Sequence, residues 1–123
     1  MEKSAGGDRD MFRLDPQANL NGTSQLTTIR VGPRALIDAF GEPDAGSADD
    51  KVSGQYRFSG PDNSVFAVYD YKKTARWNRR YPAPEVFWRS MTPTEFSIGG
   101  RGSLHVDAFK AWLLRQIHHL KTE

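Results

Sequence analysis

At 123 residues, 26% charged and 37% hydrophobic, the chain fits one globular domain, because two would each be too small to bury an adequate core. It has no cysteine, which excludes disulfides and thiolate chemistry, and its net charge of +2 is too small to imply nucleic-acid binding by itself. No apolar run approaches the ~20 residues of a membrane span and the N-terminus carries no signal-peptide apolar core, so a cytoplasmic protein without membrane contact is expected.

Residues 1–23 hold Gly, Asp, Asn, Gln and Ser with only scattered apolar positions. That stretch offers too little surface to offset the entropy of ordering, so it reads as a flexible N-terminal arm preceding a single domain over 24–123. The competing expectation docks Met11, Phe12 and Leu14 on the body or on a neighbouring subunit.

The run Leu26, Thr27, Thr28, Ile29 and Val31, rich in β-branched residues, predicts a first strand starting near Ser24. Gly32-Pro33 ends it and opens a helix, with Pro33 at the first helical position, where its missing N–H costs nothing. Leu36, Ile37 and Phe40 share one face; Gly41 suits the C-terminal cap and Pro43 stops propagation. Residues 42–51 form an acidic surface loop. Then Val52, Tyr56 and Phe58 alternate with Ser53, Gln55 and Arg57, the period of a half-buried strand. Gly60-Pro61-Asp62-Asn63 turns the chain, and Ser64–Lys72, apolar on both faces for most of its length, returns as a strand central in the sheet.

Pro82, Pro84 and Pro93 break residues 73–94 into irregular pieces, leaving room for a short helix around Glu85–Met91. Thr94–Ile98 predicts another strand, followed by a Gly99-Gly100-Arg101-Gly102 loop. Val106, Phe109, Trp112, Leu113, Ile117 and Leu120 recur at helical spacing, with Ser103 as the expected N-cap. About 17 residues make a rod of ~26 Å, enough to cross a small sheet. The order predicts an α+β fold: a small antiparallel sheet with two helices, the longer one C-terminal.

Three features carry functional expectations. Residues 71–91 set Lys72, Lys73, Arg76, Arg79, Arg80 and Arg89 against the single carboxylate of Glu85, interleaved with Tyr71, Trp77, Tyr81, Phe87 and Trp88. Cations beside aromatic faces suit a flat, anionic ligand, a nucleotide or single-stranded nucleic acid. The bland rival is a long loop pinned to the core by its aromatics. At the Gly99-Gly100-Arg101-Gly102-Ser103 junction, glycines permit close backbone approach and a helix N-terminus offers N–H groups to an anion, with Arg101 adding charge. It is neither a Walker loop nor a dinucleotide fingerprint. Lastly, the apolar stripe of the C-terminal helix is wide enough to pack on the sheet and also to meet a second subunit across a two-fold axis.

A catalytic constellation is missing. His118 and His119 point ~100° apart on a helix and cannot chelate one metal together. No GxSxG or HExxH pattern organises the serines, aspartates and histidines. A binding protein with no catalytic residues, metal or cofactor is expected, ahead of an enzyme built from a spatial cluster invisible in sequence.

Leu36–Pro43 (LIDAFGEP), Lys51–Phe58 (KVSGQYRF), Val65–Thr74 (VFAVYDYKKT), Glu95–Gly100 (EFSIGG) and Phe109–Leu114 (FKAWLL) together resemble the type-one Thoeris anti-defence proteins. These are phage sponges that sequester cyclic ADP-ribose signals made by bacterial TIR-domain enzymes. The resemblance spans residues 29 to 120; the Trp- and Arg-rich stretch 76–90 and the N-terminal segment fall outside its pattern. It implies a phage-encoded immune-evasion protein in the host bacterial cytoplasm, a homodimer or trimer of dimers that holds its ligand without cleaving it. Some relatives also hold cyclic oligonucleotides between subunits. On this reading Gly99 and Gly100 with Arg34 or Arg101 meet the phosphates while Phe96, Tyr71 or Trp77 stack on the base; Arg30, Lys72 and Arg115 complete the candidate ligand contacts. The alternative is a nucleic-acid-binding protein using the basic-aromatic segment 71–91.

Overall fold

The alternation of Gly54, Tyr56 and Phe58 with Gln55, Arg57 and Ser59 makes a strand with one buried face, and it pairs antiparallel with Val65–Tyr69 across a tight turn. The computed structural model describes residues 11–46 and 48–122, with side chains placed up to His118. In chain order the elements are β1 (Arg13–Leu14), β2 (Ser24–Val31), α1 (Pro33–Phe40), β3 (Asp44–Ala45), β4 (Gly54–Ser59), a 3-10 turn (Pro61–Asn63), β5 (Val65–Tyr69), α2 (Pro84–Phe87), β6 (Thr94–Gly100) and α3 (Val106–Thr122). The sheet runs β1-β4-β5-β6-β2, with β3 also on β4, and every pairing is antiparallel. The fold is α+β, with its longest helix C-terminal and β5 at the centre of the sheet, the placement expected from its apolar faces. Among the described residues no helix is long and apolar enough to cross a membrane.

Register decides which side chains share a face. Tyr56 lies opposite Val68, which lies opposite Ile98; Phe58 lies opposite Phe66; Phe96 lies opposite Ile29. That face is buried under Leu36 of α1 and Phe109, Trp112, Leu113 and Ile117 of α3. Phe66 and Phe109 stack at 4.5 Å with their rings 6° apart, joining the central strand to the long helix. The two helices also pack on each other.

α1 starts and stops as expected. Pro33 is its first residue, and Gly41 at φ 87° donates its N–H to the Ile37 carbonyl at 2.8 Å. α3 departs from expectation at its start. Ser103 is not the N-cap, because the helix begins at Val106. The preceding His105 (φ 74°) accepts the Phe109 N–H on its carbonyl at 2.8 Å, and its ring meets Asp62 of the β4–β5 turn at 2.9 Å.

The expected flexible arm needs correction. Residues 1–10 lie outside the described residues, as does the Leu120 side chain of the expected stripe. Residues 11–23, however, are built into the body. β1 extends the sheet beside β4, and Phe12, 2% exposed, enters the core against Phe109 and Trp112. The chain then crosses to the other face of the sheet, where Arg57 donates to the Ala18 carbonyl at 3.0 Å and Ala18 is buried. Single anchors at the right spacing substitute for the periodic apolar pattern that this stretch lacks. Of the three residues in the competing docking expectation, Phe12 is buried while Met11 and Leu14 remain 40% and 38% exposed.

Candidate functional site

The β2–α1 junction is tight. A Cβ on Gly32 would sit 2.7 Å from the Met91 carbonyl oxygen, and the Arg34 N–H donates to the Ser90 carbonyl at 3.0 Å. The close approach of residues 90–93 leaves a cleft of about 530 Å³ on the side toward α3. Arg30, Arg34, Asp38 and His118 supply its polar groups; Val31, Ala35, Met91, Pro93 and Ile117 supply an apolar wall. Arg34 Nε donates to Asp38 Oδ1 at 3.0 Å, one helical turn on, with both side chains about half exposed. Arg30 faces solvent on the edge strand.

Arg34 also borders a second cleft of about 380 Å³, with Glu42, Glu85 and Arg89 at its edge and Ser53 and Trp88 in its lining. Trp88 Nε1 donates to Ser53 Oγ at 3.0 Å, and Ser53 Oγ donates to Asp70 Oδ2 at 2.8 Å. Asp70 is fully buried and also accepts from the Ser53 and Gly54 amides. Burial raises its carboxyl above the ordinary value, and the three hydrogen bonds oppose that shift. The chain of contacts orients the loop entering β4. Among the described residues the histidines are engaged elsewhere: His105 meets Asp62 and His118 lines the other cleft.

A third locus lies on the loop after β5. Lys72, at φ 59°, places its Nζ 4.5 Å from the centre of the Trp77 ring and 5.2 Å from that of Tyr71. The loop is closed on itself. Thr74 is buried and its carbonyl accepts the Trp77 and Asn78 amides, while Ala75 N–H reaches the Pro82 carbonyl at 2.7 Å. Arg76 is tied to Asp50 at 2.7 Å and to the Val52 carbonyl at 3.3 Å.

The ten candidate contacts therefore divide. Arg30 and Arg34 share the larger cleft; Tyr71, Lys72 and Trp77 form the aromatic cluster; the two groups have no residue in common. The structure corrects the expectations for Phe96 and for Gly99 and Gly100, and it places Arg101 and Arg115 apart from both groups. Phe96 is fully buried among Phe87 and Trp88, so its ring has no free face to stack on a base. Gly99 and Gly100 are not in a loop before a helix but in β6, flanked on both sides by β2 and β5. Arg101 donates to the Asn19 and Asn21 carbonyls at 2.6 and 3.0 Å, fastening the N-terminal segment. Arg115 is exposed on α3 and lines neither cleft at Arg34.

Met91, Asp38 and His118 of the larger cleft escaped the sequence reading. The Arg34–Asp38 spacing of four was its one local signal. No protein-family model matches this chain, and no curated protein matches it.

Proposed function

We propose that this protein is a non-catalytic binder of a small cyclic nucleotide, held in the cleft between β2, α1 and α3 by Arg30 and Arg34. One observation carries the reading: two guanidinium side chains border a cleft of about 530 Å³ whose remaining wall is largely apolar. A cleft of a few hundred cubic ångströms suits a ligand of nucleotide size, and arginine pairs bidentately with phosphate. The ribose and base edges meet the apolar wall; His118 and Asp38 offer polar contacts. The resemblance to the type-one Thoeris anti-defence proteins supports a cyclic ADP-ribose isomer as ligand and a phage-encoded sponge acting in the host cytoplasm. A sponge works by slow release and abundance, so it requires no turnover. The same reading takes the protein as a homodimer or a trimer of dimers. The outer edge of β2, with eight residues and no strand beside it among the described residues, supports pairing with a second copy.

The test is retention. The protein is incubated with cyclic ADP-ribose isomers, filtered free of unbound ligand, heat-denatured, and the released material chromatographed. Intact nucleotide released from the parent and lost from the R30A/R34A double variant is expected. Unbound nucleotide throughout rejects the reading for that ligand, and a cleaved product replaces the sponge by an enzyme.

A further inference from the structure

We propose that the loop from Tyr71 to Tyr81 is a second binding surface, for single-stranded nucleic acid. The structure divides the five aromatic residues of the wider segment 71–91. Phe87 and Trp88 are buried at 6% exposure each and belong to the core; Tyr71, Trp77 and Tyr81 remain 42%, 42% and 44% exposed. A loop pinned by its aromatics would turn these rings inward as well. Here the pinning is done by buried Thr74 and by backbone hydrogen bonds, so the three rings are left on the surface of a closed loop.

The cations divide in the same way. Arg76 is occupied by Asp50, and the neighbouring Asp49 is paired with Lys51. Among the described residues Lys72, Arg79 and Arg80 have no carboxylate within ion-pair distance. Lys72 sits against two rings instead, held there by a left-handed backbone that a lysine seldom adopts and by its N–H on the Lys51 carbonyl at 2.6 Å. Positive charge is thus set between exposed π-faces on a pre-formed loop, so little ordering is left to be done on binding.

Shape selects the ligand. None of Tyr71, Trp77 and Tyr81 lines either cleft at Arg34, so this surface lies apart from the cleft proposed for the small nucleotide. A polymer that repeats the same contact along its length suits it better. Exposed rings stack on unpaired bases whatever their identity, and a duplex hides those faces. Single-stranded DNA and RNA share this chemistry.

The test uses the full chain and fluorescence anisotropy with end-labelled oligo(dT) and oligo(U) of about 12 nucleotides, within the span such surfaces cover. Binding that weakens steeply with salt is expected, with Trp77→Ala weakening it roughly tenfold and Trp77→Phe retaining most of it. The R79A/R80A double variant should lower the magnitude of the log–log salt slope by about 1.4, as expected when two phosphate contacts are lost. Oligo(dT) bound and oligo(U) unbound, or the reverse, identifies the polymer and supports the proposal. No binding to either oligonucleotide at about 50 mM salt overturns it, as does unchanged affinity in both the Trp77→Ala and R79A/R80A variants, or a duplex bound as tightly as the single strand. Retention of cyclic nucleotide by these variants should equal that of the parent, so the two surfaces stand or fall separately.

Discussion

Asp70 grips Ser53 twice, accepting its amide at 2.9 Å and its hydroxyl at 2.8 Å, and takes the Gly54 amide at 3.0 Å as well. This carboxylate just past the end of β5 thus organises the start of its partner strand β4. Trp88 is drawn in through its bond to the same hydroxyl. Asp70→Ala leaves the Ser53 and Gly54 amides without their acceptor, one of them fully buried. Each such group costs roughly 1–3 kcal/mol, so about 3 kcal/mol of stability should be lost, read as a lower urea midpoint at unchanged slope.

Two carboxyls act oppositely on the pH dependence of stability. Burial raises Asp70 above its unfolded value, so its contribution is fully present below the ordinary carboxylate range and is lost as pH rises through the folded value. The hydrogen bond from the Ser59 hydroxyl lowers Asp15, so its contribution is present above the ordinary value and is lost as pH falls through the folded one. Relative to the parent, Asp70→Asn should therefore gain stability as pH rises above the ordinary carboxylate value, and Asp15→Asn should lose it as pH rises toward that value from below. Urea unfolding at several pH values reads the sign of each difference directly; equal slopes for the two variants would contradict both assignments.

The main elements were legible because each carries its own periodicity or punctuation: Pro33 and Gly41 at the ends of α1, alternation in β4, helical spacing in α3. β1 and β3 are two residues long and have no period to read. They exist because β4 offers its edge. The larger cleft was half legible. Arg30 and Arg34 stand out as cations, but Met91 and His118 arrive from distant positions, and only the packing of residues 90–93 on Gly32 brings them together. Of the Gly99-Gly100-Arg101-Gly102 run, Gly99 and Gly100 belong to β6 and not to the loop, a placement hidden in the sequence because glycines have no side-chain alternation to mark them as strand. The demand for Gly100 comes from Leu26 and Phe66, which belong to other strands.

That demand is testable within the same run. A Cβ on Gly100 would lie 2.8 Å from Leu26 Cδ1, 3.1 Å from the Phe66 ring and 3.2 Å from the Val65 carbonyl oxygen, whereas one on Gly102 meets nothing within 4 Å. The Val65 carbonyl belongs to the central strand and cannot move alone. Gly100→Ala should lose about 1–3 kcal/mol through overpacking. Gly102→Ala should stay within about 0.5 kcal/mol of the parent. Thermal unfolding of the pair checks this, and similar midpoints would show that β6 accommodates a methyl group at this position.

Phe12 tests whether the N-terminal segment contributes to the fold. Its ring meets Phe109 at 5.5 Å, Trp112 at 5.7 Å and Phe66 at 6.1 Å, all edge-on or tilted, so it fills the rim of the core where β1 adds to the sheet. Its neighbour Met11 is 40% exposed. Phe12→Ala opens a cavity against residues that are themselves close-packed, and should cost about 3–5 kcal/mol. Met11→Ala should cost little, because the parent side chain already faces water. A loose arm would make the two substitutions equivalent. Denaturant midpoints for the two variants, measured side by side, decide between a segment that only borders the fold and one whose aromatic ring completes its core.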